Sequence, residues 1–424
     1  MIEYYNSNNF KKFYKSCRVC NSKEIKFVFR LKKTPFEDHF VKKNKINVVQ
    51  HLHPLDLYLC RKCGYFHLAH ILSPKASYTH YLYQSEVTIN LKNHYDQFAN
   101  YINNKLKNNR KNKLIVDIGS NDGTLLSAFK KKGYKVVGVE PAKKISSLAN
   151  KKFIKTYNCF FNTKIVKKIL KIHGVPNIIT ANYVYANIEN IIQFTKDVKS
   201  LMDEKSIFVI QTGYHPEQMK IKMFDYIYHE HFSYFSVNVI SKILQICGLK
   251  ILDVKKIKPK GGSIRIISAL PENKKVISKY AINLIKWEKK CGIHQVFYYK
   301  KFYKQIEKSK DNLLKKLKIL RDKKISIVGF GASHSTTVLI YHFELKKYLK
   351  YLVDDNKLKH GLYSPGYHIP VYPISKLLHN FPDYVLILAW QHQETIIKRL
   401  KNYLNKGGKI IIPLPKLRII KNSL

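Results

Sequence analysis

The chain has 424 residues, 45% of them hydrophobic, and its 77 Lys and Arg against 28 Asp and Glu give a formal net charge of +49. That length exceeds what one ordinary core fills, so two or three domains are expected, and no run nears the ~20 unbroken apolar residues of a membrane-spanning helix. The charge is almost all lysine, with only eight arginines, spread evenly along the chain; this predicts a solvated surface and no specific nucleic-acid partner, although the field favours an anionic substrate.

The first segment, MIEYYNSNNFKKFYKSC, lacks the apolar core of a secretory signal, so a cytoplasmic protein with no membrane attachment is expected. Four of the seven cysteines fall in two CxxC pairs, Cys17-Arg-Val-Cys20 and Cys60-Arg-Lys-Cys63-Gly64. Four thiolates close a tetrahedral zinc site and leave no coordination position for chemistry, so a structural Zn²⁺ is predicted. The long separation leaves His51, His53 or His67 open as a substitute ligand. Residues 1–84 are therefore read as a zinc-binding module.

An amphipathic, helical stretch follows from about Ser85 to Asn103. Strand-like runs then recur at Leu114–Ile118, Lys135–Val139, Asn177–Thr180, Ile207–Gln211 and Ile264–Ile267, with helix-length spacers between them. This predicts a mainly parallel, doubly wound sheet over 85–270. Apolar residues at helical spacing (Val276, Tyr280, Leu284, Trp287; Phe302, Ile306, Leu313, Leu317, Leu320) predict a helical connector over 271–320. Strands expected at Ile325–Val328, Tyr351–Val353 and Tyr384–Leu388, with the glycine-rich run GFGAS after the first, give a C-terminal Rossmann-like domain over 321–424. The fold class expected is α/β: a Rossmann-like central domain between a small zinc module and a second Rossmann-like domain.

The run Asp117-Ile-Gly119-Ser-Asn121-Asp122-Gly123 follows a strand and opens a helix. Glycines there let backbone approach a ligand closely. The spacing is not the G-x-G-x-x-G of a dinucleotide fingerprint. A carboxylate beside the loop suits a ligand bearing an ammonium and a sulfonium, and Glu140, ending the next strand, is suited to accept from both ribose hydroxyls. Together these predict S-adenosylmethionine, held by Asp117, Gly119, Asn121, Asp122, Gly123 and Glu140.

A second cluster, Tyr228-His229-Glu230-His231, follows the strand IFVIQT. Histidines two apart diverge on a helix, which excludes an HExxH metal site. A polar network tying a lid to the sheet is one reading. A general base, with the adjacent glutamate orienting it, fits better.

At this point the sequence resembles the sugar-nucleotide C-methyltransferases, which act at C3 of nucleotide-linked 4-keto-6-deoxy sugars. The resemblance covers nearly the whole chain: PLDLYLCRKCG, DIGSNDGTLL, FDYIYHEHFSYFS, GGSIRI, GFGAS, VDDNKLKHGLYSPGYHIPV and DYVLILAW. It implies that His231 is the base, that Glu230 and Tyr228 steady the enolate or position the sugar, that Tyr83 joins them, and that the C-terminal domain helps hold the nucleotide sugar. Asn187 and Lys260 stand where the family usually has histidine, and Ser335 where it has lysine, so the sugar and the methylated carbon are open. Two alternatives make different predictions. An O- or N-methyltransferase on the same scaffold would lose little rate on His231→Ala, and a zinc-containing nucleic-acid-binding protein would bind with steep salt dependence.

Overall fold

The computed structural model describes residues 11–74, 84–86, 90–106 and 113–421. Near the N-terminus, β1 (Lys11–Phe13) pairs with β5 (His70–Leu72), while β2 (Ile25–Thr34), β3 (His53–Cys60) and β4 (Phe66–Leu68) form an antiparallel sheet.

The central sheet has seven strands: β6 (Leu114–Ile118), β7 (Lys135–Val139), β8 (Thr156–Tyr157), β9 (Ile178–Asn182), β10 (Ile207–Gly213), β12 (Lys250–Ile257) and β13 (Ser263–Ala269). Their spatial order is β12-β13-β10-β9-β6-β7-β8, with β13 antiparallel to both neighbours and the others parallel. Every residue of β6 and β13 is buried, as expected for strands covered by helices on both faces. Sequence order reverses between β6 and β9, so the loops after these strands part and leave a crevice at their carboxyl ends, the usual ligand position in open α/β sheets.

The chain between β10 and β12 contains the short strand β11 (Ser233–Tyr234), which pairs with β4. The YHEH run just before it therefore lies where the central domain meets the N-terminal sheet. It forms a turn, not a helix.

Two helices, Lys279–Lys290 and Val296–Asp322, occupy the connector. The six-stranded C-terminal sheet contains β14 (Ile327–Phe330), β15 (Leu352–Val353), β16 (Val371–Tyr372), β17 (Tyr384–Ile387), β18 (Lys409–Ile412) and β19 (Arg418–Ile420), in the order β16-β15-β14-β17-β18-β19. All pairs are parallel except β18-β19. The helix His334–His342, capped by Ser333 accepting from the Thr336 amide, points its N-terminus at the YHEH turn.

Candidate active site and zinc centre

The four cysteines converge. Sγ of Cys17 lies 3.5 Å from that of Cys63, Sγ of Cys20 lies 3.6 Å from that of Cys60, and all four lie within 4.8 Å of one another. A tetrahedron with Zn–S of ~2.3 Å has S–S edges of ~3.8 Å, so the set fits zinc. The histidines left open by the sequence stand elsewhere: His67 uses Nδ1 on the Leu68 carbonyl, His53 packs on the His229 ring, and His51 is exposed. Each knuckle also ties the module to the central domain. Arg18, inside the first, donates from its buried guanidinium to the carbonyls of Ile188, Glu189 and Phe232, while Lys242 Nζ donates to the Cys63 carbonyl.

At the switch point of the central sheet, Gly119 has φ +70°, and a Cβ there would meet Val184 at 2.9 Å, so the tight turn after β6 depends on glycine. Beside it opens a cavity of about 320 Å³ lined by Asp117, Gly119, Asn121 and Glu140, with Tyr95, Phe160, Asn182, Tyr183, Asn187 and Lys260 on its other walls. Asp117 accepts from Thr180 Oγ1 at 2.5 Å, and burial pushes its carboxyl up to about 7. Glu140 accepts from the Asn121 amide at 3.0 Å and the Ala142 amide at 2.8 Å, and burial likewise raises it to about 7. Each Glu140 oxygen keeps a second acceptor site for a ligand hydroxyl. Two buried carboxyls facing one cavity are a donor set suited to a cationic ligand with a diol, as S-adenosylmethionine is.

Asp122 and Gly123 are not among the lining residues. Asp122 instead holds the start of the helix Thr124–Lys130, accepting from the Thr124 amide and hydroxyl, and also accepts from the Glu86 amide. Asn121 Oδ1 accepts from the Ser85 amide. The loop thus anchors the segment that follows Tyr83, and Tyr83 itself lies outside the described residues.

His231 lines a separate, smaller cavity of about 30 Å³ that shares Tyr183 and Lys260 with the large one. Its Nδ1 lies 3.0 Å from the Tyr226 carbonyl, which can only accept. Nδ1 therefore carries the proton and Nε2 the lone pair. Burial, reinforced by the Lys260 and His334 charges and opposed less strongly by the Tyr226 hydrogen bond and Glu37, lowers the ring to about 3, so it is neutral at neutral pH. Glu230 is not the group that orients it. Adjacent side chains on this turn diverge, and Glu230 instead pairs with His334 Nε2 at 3.1 Å, across to the C-terminal domain. Burial alone would lower His334, but the Glu230 and Asp38 charges outweigh it and raise it to about 9. The Tyr228 ring sits between the two histidines, 4.1 Å from His231 and 5.2 Å from His334.

His229 does form a structural tie. Its Nδ1 lies 2.7 Å from Glu37 Oε1, with both side chains at most 1% exposed. Sequence reasoning missed Arg18, Glu37 and His334, whose partners lie more than a hundred positions away along the chain. The C-terminal glycine loop is engaged by the chain itself: the Ala332 amide donates to Asp354 at 2.6 Å and the Ala332 carbonyl accepts from Lys359 Nζ at 2.8 Å. Ser335 there is buried beside Ser333.

Three family descriptions match successive parts of the chain: a zinc binding domain over residues 17–78, a methyltransferase domain over 91–254, and a C-methyltransferase C-terminal domain over 258–415. The C-methyltransferase NovU of Streptomyces niveus is 27% identical over 406 residues, covering 95% of this chain and 96% of that protein. Among solved structures, an S-adenosylmethionine-dependent methyltransferase from Clostridium acetobutylicum aligns over 42% of this chain and 92% of its own at 15% identity, with a TM-score of 0.33. The PH0226 protein of Pyrococcus horikoshii aligns over 44% and 94% at 10% identity, with a TM-score of 0.34. With the cofactor loop, the converging cysteines and the matched domains on one chain, the protein is an S-adenosylmethionine-dependent methyltransferase with a zinc-binding module.

Proposed function

We propose that the enzyme methylates a carbon of a nucleotide-linked keto-deoxy sugar through an enolate formed by its own base. The observation that carries this reading is His231, a neutral imidazole with its proton on Nδ1 and its lone pair on Nε2, lining a small pocket that shares two wall residues with the cofactor cavity. Removing a proton from carbon beside a carbonyl requires such a base, whereas transfer to a hydroxyl or amine asks for much less.

His231 Nε2 would take the proton, and the C–H electron pair would become the C=C bond of the enolate. The Tyr226 carbonyl and the Glu37 carboxylate both favour the imidazolium so formed. Tyr228, packed on the same ring, and Glu230, held by His334, would position the sugar; Tyr83, by resemblance, joins them. Asp117 and Glu140 would orient the cofactor with Gly119 and Asn121, while Asp122 and Gly123 fix the loop from behind. S-adenosylmethionine, bound there, would supply an electrophilic methyl group to the enolate carbon and leave as the neutral thioether. The C-methyltransferase match at 258–415 and the likeness to NovU support carbon as the acceptor atom. The basic chain, at +49, favours the diphosphate of a nucleotide sugar.

The test mixes purified protein with S-adenosylmethionine and a panel of nucleotide-linked 4-keto-6-deoxy sugars and reads product mass, beside a His231→Ala control. One sugar is expected to gain a single methyl, with the rate falling ~10²–10⁴-fold in the variant. A protein that binds the cofactor yet adds no methyl to any keto sugar, or a variant that keeps most of its rate, would refute the reading.

A further inference from the structure

We propose that Lys260 is a catalytic residue whose ammonium group faces the substrate carbonyl oxygen and neutralises the enolate that His231 generates. This rests on the enolate reading above. The argument starts from the backbone. Lys260, Gly261 and Gly262 are three consecutive residues with positive φ, at +55°, +74° and +108°. At the two glycines the surroundings also leave no room for a side chain: a Cβ on Gly261 would meet Met223 Sδ at 1.9 Å, and one on Gly262 would meet Glu217 Cβ at 2.6 Å. A lysine in the left-handed region is strained by of order 1 kcal/mol and persists only where its neighbours fix it. Gln218 Nε2 does so, donating to the Lys260 carbonyl at 3.0 Å, while the Gly262 amide closes the turn on the Lys258 carbonyl at 3.2 Å. Strained, pinned backbone of this kind clusters at functional sites.

The turn directs the side chain inward. Lys260 and Tyr183 line both the cofactor cavity and the His231 pocket, and Lys260 Nζ stands 4.1 Å above the Tyr183 ring. A substrate bridging the two spaces would present its reacting carbon both to the cofactor cavity and to His231, with the cation at their shared wall beside the adjacent oxygen. The groups facing it are Tyr183 beneath, Glu230 and His231 from the YHEH turn, and Tyr226 and Tyr234 on the rim of the small pocket. Burial lowers the lysine to about 8, against a smaller opposing pull from Glu230. The cation in turn helps hold His231 neutral. In the step proposed, the C–H pair moves into C=C, the carbonyl π pair moves onto oxygen beside the ammonium, and the proton goes to His231. When the carbon attacks methyl, the oxygen returns to a carbonyl and Lys260 keeps its proton throughout.

The experiment separates enolisation from transfer. With dTDP-4-keto-6-deoxyglucose as probe and S-adenosylhomocysteine in the cofactor cavity, deuterium uptake from D₂O beside the carbonyl is followed by NMR for wild type, Lys260→Met and Lys260→Arg. Methyl transfer with S-adenosylmethionine is measured in parallel, and cofactor binding by calorimetry. Lys260→Met is expected to slow exchange and kcat together by ~10²–10³-fold while cofactor affinity stays within about threefold, with Lys260→Arg regaining part of the exchange. Wild-type kcat is expected to fall as pH rises through about 8, a limb absent from Lys260→Met. The proposal is overturned if Lys260→Met exchanges at close to the wild-type rate, if it changes only KM, or if it loses cofactor binding in step with activity. A wild type that neither exchanges nor methylates the probe brings down the enolate reading itself, and this proposal with it.

Discussion

Asp117 and Glu140 show how one residue's surroundings set its chemistry. Both carboxyls are pushed up to about 7 by burial, so near neutrality each is partly protonated. A cationic ligand favours the ionised form, so binding must expel protons, and cofactor affinity should rise as pH is raised through about 7. Calorimetry in two buffers of different ionisation enthalpy checks this, with net proton release expected at pH 6.5. Asp117→Asn should weaken binding by about tenfold or more and flatten that pH dependence. These two residues were legible because each ends a strand whose apolar run is plain in the sequence. Glu37 and His334 were not, because a contact across domains leaves no local pattern.

At the scale of elements, the zinc module is tied to the YHEH turn through Arg18. Its guanidinium holds the carbonyl of Phe232, next to His231, and those of Ile188 and Glu189, on the cavity wall. One zinc per chain is expected by elemental analysis. Cys60→Ser, or treatment with a strong chelator, should lower both the melting temperature and activity, because metal binding at such sites is coupled to folding. Arg18→Met should leave zinc content intact and lower kcat through a displaced His231. The sheet carrying these knuckles was hard to read as strands. β2 buries residues in the order intermediate, two exposed, two buried, because its register with β3 shifts twice, between Phe27 and Phe29 and between Leu31 and Thr34. Each bulge moves the buried face and erases the period of two on which strand recognition depends. β12, with a shift between Ile251 and Asp253, escaped notice for the same reason, whereas the unbroken β6 and β7 did not.

Across the whole molecule, three pairs join the modules around the YHEH turn: Glu37 with His229, Glu230 with His334, and Asp38 with Lys359. Burial would raise the Glu37 carboxyl, but His229 outweighs it and the carboxyl is lowered. Its stabilising contribution is therefore complete above the unfolded carboxylate value of ~4.3 and is lost as pH falls through the lower folded value. Glu37→Ala, which strands His229 in the interior, should cost ~3–5 kcal/mol in chemical denaturation at pH 7. If it costs less than ~1 kcal/mol, the pair is not holding the modules together. The order of the domains was legible from strand spacing and the two glycine-rich turns. What the second of those turns does was not, because Asp354 and Lys359, which engage it, follow Ala332 by 22 and 27 residues, and nothing in their run shows that it folds back onto the turn.

The pairing of β11 with β4 has a consequence for how the chain can be divided. The strand that completes the N-terminal sheet comes from beyond the cofactor-binding half of the central domain, so the first module lacks an edge until that later segment arrives. An exposed edge seeks a partner strand. Two pieces, 1–86 and 87–424, expressed together from separate messages, should recognise each other and co-purify as an active pair, while the first piece alone should aggregate. During synthesis the same dependence obliges the N-terminal module to wait, incomplete, until residue 234 has left the ribosome.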